Sequence, residues 1–201
     1  MKKIPLKFYD RKDVAEIAKE LVGKILVTNI DGFKTSGRIV ETEAYVAIVD
    51  KASHSSGGKR TAKNEHMYAS PGTAYVYICY GMHQMFNIVT NKEGIPDAVL
   101  IRALEPLEGI EIMLQRTHKS KPDNTLTRGP GNVGKALGIF KSHSGTCLLK
   151  NSIYLMEDNF RLDISDLGIG PRVGVESAGE DALLPYRFYI KNNPFVSNKR
   201  T

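Results

Sequence analysis

The stretch YVYICYGMHQMFNIVT, residues 75 to 90, reads as two β-strands folded back on one another. Residues 75–79 are aromatic and β-branched strand formers. Gly81 marks a turn, and MHQMFNIVT returns as the partner strand. A lone two-stranded ribbon is at best marginally stable, so further strands must flank it. The two-residue period puts Tyr75 and Tyr77 on one face. Tyr80 has the other parity and stands beside the turn, where small polar residues are usual. With a turn over Tyr80–His83, Asn87 comes within about one residue of pairing across from Tyr77. One face then offers an aromatic wall with an amide nearby, and the tip offers a separate exposed ring. Aromatic plates beside a hydrogen-bonding amide suit a flat nitrogenous base. The plain alternative is an ordinary tyrosine-rich hairpin.

Working outward, residues 13–22 (DVAEIAKELV) place Val14, Ile17, Ala18, Leu21 and Val22 on one helical face, with Gly23 as C-cap. KILVTN reads as a strand, Asp31-Gly32 as a hairpin turn and residues 33–45 (FKTSGRIVETEAY) as a long strand. Residues 46–72 read as a surface loop. After the hairpin come a turn (NKEGIPD), a strand (AVLIRAL) and a helix beginning within LEPLEGIEIMLQRTHK. KPDNTLTRGPGN reads as a polar loop, VGKALGIF as a helix, and short strands follow near 153 and 186. We expect one domain over residues 1–201, α+β in class, with a mostly antiparallel sheet.

The 201 residues are 41% hydrophobic, enough for a core. No run approaches the ~18 apolar residues that span a bilayer. The N-terminal MKKIPLKFYD lacks an apolar run, so no export signal is expected. Cys79 and Cys147 make no disulfide framework and are expected as buried free thiols in a reducing cytoplasm. The net charge of +6 suits a polyanionic partner. Basic residues gather at Lys51, Lys59, Arg60 and Lys63, at Lys119, Lys121 and Arg128, and at Lys199 and Arg200.

In GRIVETEAY, Glu41 and Glu43 share a strand face, with Tyr45 beyond. The pair is either a solvated face or holds a general base, and the segment does not say which glutamate would act. His54 lies in a loop among small residues, where a ligand can approach. GPGNVGKA has the spacing of a phosphate-binding loop, but Ala136 stands where a magnesium-holding hydroxyl is needed. That excludes nucleotide hydrolysis and leaves a glycine-rich helix start able to receive a DNA phosphate. HExxH, CxxC and GxSxG patterns are missing, so neither a metal, a cofactor nor a covalent serine is expected.

The segments GRIVETEAY, ASHSSGG, PGTAYVYICYGM, FNIV, VLIRALEPLEG, RGPGNVGKALGI and PRVGVESAGE resemble the alkyladenine (3-methyladenine, or methylpurine) DNA glycosylase family. The resemblance implies a curved antiparallel sheet flanked by helices with a protruding hairpin, as in formyltransferase C-terminal domains. It implies a monofunctional repair enzyme that flips a damaged purine from duplex DNA and hydrolyses its N-glycosidic bond. By matching position, Glu43 is the general base and Arg102 helps hold the water. Tyr45, His54 and Tyr77 contact the flipped base, and Asn87 crowds the exocyclic amine of guanine. Tyr80 is the minor-groove wedge, with Met82, Lys59 and Thr61 as further DNA contacts. The implied partner is damaged duplex DNA, met by a cytoplasmic monomer without a cofactor, nucleoid-associated if the source is bacterial. The chain departs at His83, where relatives often have tyrosine, and at VAIVD after Tyr45. Both bear on lesion preference. No general acid for neutral lesions stands out; Glu41 is tempting but has no family support. A non-catalytic damage-recognition module on the same scaffold and an RNA-binding formyltransferase-like domain are the alternatives.

Overall fold

The computed structural model describes residues 1–197; Lys199 and Arg200 lie outside them. Lys2–Lys3 (β1) and Leu6–Tyr9 (α1) open the chain. Asp13 accepts a hydrogen bond from Glu16 N at 2.9 Å and starts α2, Val14–Leu21. This is ordinary N-capping, and it aims the apolar stripe Val14, Ile17, Ala18 and Leu21 into the core. Ile25–Ile30 (β2) and Phe33–Tyr45 (β3) form the hairpin around Asp31 and Gly32, both at positive φ. Then come Ala74–Cys79 (β4), His83–Thr90 (β5), Asp97–Glu108 (β6), Ile110–Thr117 (α3) and Pro130–Leu137 (α4). Ile153–Glu157 (β7), Leu167–Gly170 (β8) and Arg187–Ile190 (β9) complete the elements used below.

Every strand pairing among the described residues is antiparallel. The sheet runs β1-β7-β2-β3-β6-β5-β4, with β9 pairing both β3 and β8. The α+β architecture is as expected. The sheet has two faces. Ala74, Val76, Phe86, Ile88, Val99 and Ile101 face the main core with the helices. Tyr75, Val89 and Ala98 face a smaller cluster with Met67 and Tyr68, and Tyr77 packs against it. The alternation read in residues 75–79 is therefore real.

β3 and β6 carry register irregularities between Ile39 and Thr42. Their effect is a switch of parity. Ile39 and Ala44 belong to the main core, and Thr42 Oγ donates to Ala18 O on the helix side at 2.8 Å. Glu41, Glu43 and Tyr45 are left on the opposite face. Bulges commonly re-aim side chains next to working sites.

Four expectations are corrected. The segment LEPLEGIEIMLQRTHK turns helical only at Ile110, because β6 continues to Glu108. Pro106 biases Glu105 to an extended backbone and removes one N–H. The last helix starts earlier than VGKALGIF, with Pro130 in its first turn, and stops at left-handed Gly138. Residues 46–72 are not a bare surface loop, since Asp50, Ser53, Ser55, Asn64, Met67 and Tyr68 are buried. Cys79 and Cys147 are free but half-buried rather than buried.

The glycines of GPGNVGKA answer to packing. A Cβ at Gly134 would lie 2.3 Å from Gln84 O, and one at Gly131 would lie 2.6 Å from His83 Nδ1. They let α4 lie directly on β5 at the base of the hairpin.

Candidate active site

β3, β6 and β9 bring together four buried charges whose chain positions span residues 41 to 187. Arg102 Nε donates to Glu41 Oε1 at 3.2 Å and its Nη1 to Glu43 Oε2 at 3.2 Å. Arg187 Nε donates to Glu41 Oε1 at 2.6 Å. Ser197 donates its N–H and hydroxyl to Glu41 at 2.8 and 2.7 Å. The result is a ladder, Arg187–Glu41–Arg102–Glu43, of alternating sign. Burial opposes the charge on Arg102, but Glu43 and then Glu41 outweigh it and hold the guanidinium above its ordinary pKa.

Glu43 accepts three hydrogen bonds. They come from Arg102, from the Tyr45 hydroxyl at 2.9 Å on the same oxygen, and from Val173 N at 2.7 Å on Oε1. A carboxylate offers about four acceptor positions, so one remains, on Oε1. Burial, then the neighbouring Glu43, push the Tyr45 hydroxyl well above the usual phenol range. It therefore stays a donor.

The aromatic wall is a cluster of three rings. Tyr75 and Tyr77 have centroids 5.6 Å apart, and His54 meets Tyr77 edge-on at 4.4 Å. His54 Nδ1 lies 2.8 Å from the Tyr75 hydroxyl. Burial, then the Lys59 charge, hold the imidazole below its ordinary pKa. The hairpin register corrects the position of Asn87: it pairs with Tyr75, and Met85 pairs with Tyr77. Asn87 still shares the face, and its buried side chain donates to Tyr75 O and Met85 O.

The tip is a three-residue loop between the paired Cys79 and His83. Tyr80 has φ +50° and is 86% exposed; Met82 is 71% exposed. Positive φ is costly for a bulky residue, so the exposed ring is held against local preference. Lys59 is exposed, and its carbonyl accepts from Tyr68 Oη and Asn64 Nδ2. The Thr61 hydroxyl is engaged by Asn64 Oδ1 at 3.1 Å.

The methylpurine-DNA glycosylase family model matches residues 7–194. The chain belongs to the methylpurine-DNA glycosylase family. A Desulfitobacterium hafniense (strain Y51) protein named "Putative 3-methyladenine DNA glycosylase" is 46% identical over 99% of this chain and 100% of its own. A Methanocella arvoryzae protein of the same name is 44% identical over 98% of this chain and 96% of its own. The enzyme is thus a DNA glycosylase, a repair hydrolase with DNA as its substrate.

Around this glycosylase's ladder stand residues that no local motif marks. Val173, Arg187 and Ser197 reach the glutamates only through long-range pairing. Arg172, next to Val173, is buried beneath Tyr45. PRVGVESAGE carried the family likeness but no chemical pattern. Two clefts, of about 430 and 550 Å³, include none of these groups. Among the described residues, no three His, Cys, Asp or Glu side chains are placed to hold a metal, and no helix is long and apolar enough to cross a membrane.

Proposed function

We propose that this glycosylase turns an alkylated or deaminated purine out of duplex DNA and hydrolyses its N-glycosidic bond with water activated at Glu43. The observation that supports this reading is the set of three donors on Glu43, which leaves one of its roughly four acceptor positions, on Oε1, without a donor among the described residues. A water there gives its proton to Glu43 as its oxygen attacks the sugar carbon, and the bonding pair leaves with the base. A positioned general base adds typically ~10²–10⁴-fold. Arg102, Tyr45 and Val173 N–H fix the carboxylate's direction.

A base methylated at N3 or N7 is cationic and leaves as a neutral molecule. Tyrosine faces attract such a cation by roughly 0.5–2 kcal/mol per well-placed ring. Tyr45, Tyr77 and His54 are the plates in this reading, and a neutral imidazole does not repel the cation. Asn87 crowds the exocyclic amine of a normal guanine. Tyr80 fills the vacated space, with Met82 beside it and Lys59 and Thr61 along the backbone. Both Glu41 oxygens are engaged by Arg102, Arg187 and Ser197, which argues against Glu41 as an acid for neutral bases. The enzyme acts in the cytoplasm as a single-domain monomer and leaves an abasic site.

The test uses duplexes carrying one 3-methyladenine, 7-methylguanine, hypoxanthine or ethenoadenine. Base release without strand scission is the expected result. Failure to release any of the four would overturn the proposal.

A further inference from the structure

Asp50 and Arg172 form a buried ion pair outside the machinery above, 2% and 4% exposed. Arg172 Nη2 donates to Asp50 Oδ1 at 2.8 Å and to Asp181 O at 3.1 Å; Nη1 donates to Asp50 Oδ2 and to Ala44 O at 2.9 Å. The guanidinium carbon lies 4.7 Å from the centroid of the Tyr45 ring and 5.3 Å from that of Tyr186. Arg172 Nε is buried without a hydrogen-bond partner among the described residues. Four hydrogen bonds fix the cation, and they fix it against both rings. Arg172 occupies one face of Tyr45, so only the other face is left for a base.

We propose that Asp50 and Arg172 are a specificity-determining pair that sets how well Tyr45 holds a cationic base relative to a neutral one. The inference rests on the reading of Tyr45 as a plate for the flipped base. A ring face attracts one cation, but a second cation across the same ring feels the first. Contact stacking adds about 3.5–4 Å, so a stacked cationic base and the guanidinium stand roughly 8 Å apart. At the effective dielectric of partly buried sites, two unlike-placed but like-signed charges at that distance weaken association by about tenfold or more. Asp50, across the guanidinium fork, cancels that charge. A neutral lesion is indifferent to either member of the pair.

The two members therefore carry opposite signs of effect. Asp50→Asn leaves the cation behind Tyr45 without its ion-pair partner. Arg172→Gln leaves an uncompensated anion there. The charge on the base is lost as the glycosidic bond breaks, so the effect falls on binding more than on the chemical step. The experiment measures half-saturating enzyme and maximal excision rate on duplexes with cationic 7-methylguanine or neutral ethenoadenine. For Asp50→Asn, half-saturation on 7-methylguanine should rise about tenfold more than on ethenoadenine, with no matching fall in maximal rate. For Arg172→Gln, the ratio should move the other way. Asp50→Asn combined with Arg172→Gln should restore the wild-type ratio, and it remains testable if a single variant does not fold. Ratios that move in the same direction for both single variants, or stay fixed in all three, overturn the proposal. Failure of the underlying reading looks different: Tyr45→Leu would leave half-saturation unchanged on both duplexes.

Discussion

Arg102 reaches Glu43 through Nη1 at 3.2 Å, with both side chains withdrawn from solvent. A buried ion pair contributes little over an apolar replacement, but removing one member strands the other. Arg102→Met leaves buried Glu43 with only the Tyr45 hydroxyl and Val173 N–H, while Glu41 keeps Arg187 and Ser197. We expect it to lose about 3–5 kcal/mol of stability in denaturant titration. A loss under about 1 kcal/mol, the ordinary scale of point substitutions, would mean the ladder does not support the fold.

Tyr80 separates function from stability. Its positive φ suits glycine better than tyrosine, so Tyr80→Gly should melt no earlier than wild type. Tyr80→Gly and Tyr80→Ala should both excise poorly from stable base pairs and lose less from mismatched ones, where flipping costs less. Equal loss in every context, or an early melt for the glycine variant, would make Tyr80 a structural residue.

His54 is held neutral to a lower pH than usual, first by burial and then by Lys59. An NMR titration should give a pKa below the ordinary value of about 6.5. The unfolded chain then takes its proton first as pH falls. This residue's contribution to stability is thus unchanged above about pH 6.5 and lost as pH drops toward the folded value. Its outer edge is exposed, so the effect on stability is small. Lys59→Ala should move the pKa part-way back up; a downward move would contradict the assigned cause.

Gly134 is a packing residue. A methyl group there meets a backbone oxygen, which cannot swing aside. Gly134→Ala should cost about 1–3 kcal/mol through overpacking between α4 and the hairpin. Wild-type stability would mean that α4 and β5 separate easily.

Much of this was legible in the sequence. The two-residue period separated Tyr75 and Tyr77 from Tyr80, and it put Glu41, Glu43 and Tyr45 on one face. The helical stripe of residues 13–22 was equally plain. What escaped detection depends on distance or on small backbone irregularities. Ile39 and Glu41 have the same parity, yet a bulge sends them to opposite faces. Asn87 sits two positions from a pairing with Tyr77 because the turn takes three residues. Val173, Arg187 and Ser197 meet the glutamates, and Arg172 meets Ala44 O, across more than 120 positions of chain and follow no local spacing. The glycines of GPGNVGKA looked like a phosphate loop because close helix–strand packing and close phosphate approach both require a missing Cβ.

If Glu43 activates the water, single-turnover excision of 7-methylguanine by Glu43→Gln reveals it, with duplex binding measured on the same preparation. The amide keeps the shape but cannot take the proton. Excision should fall by at least ~10²-fold with binding within a few-fold of wild type. Excision within tenfold of wild type would contradict it.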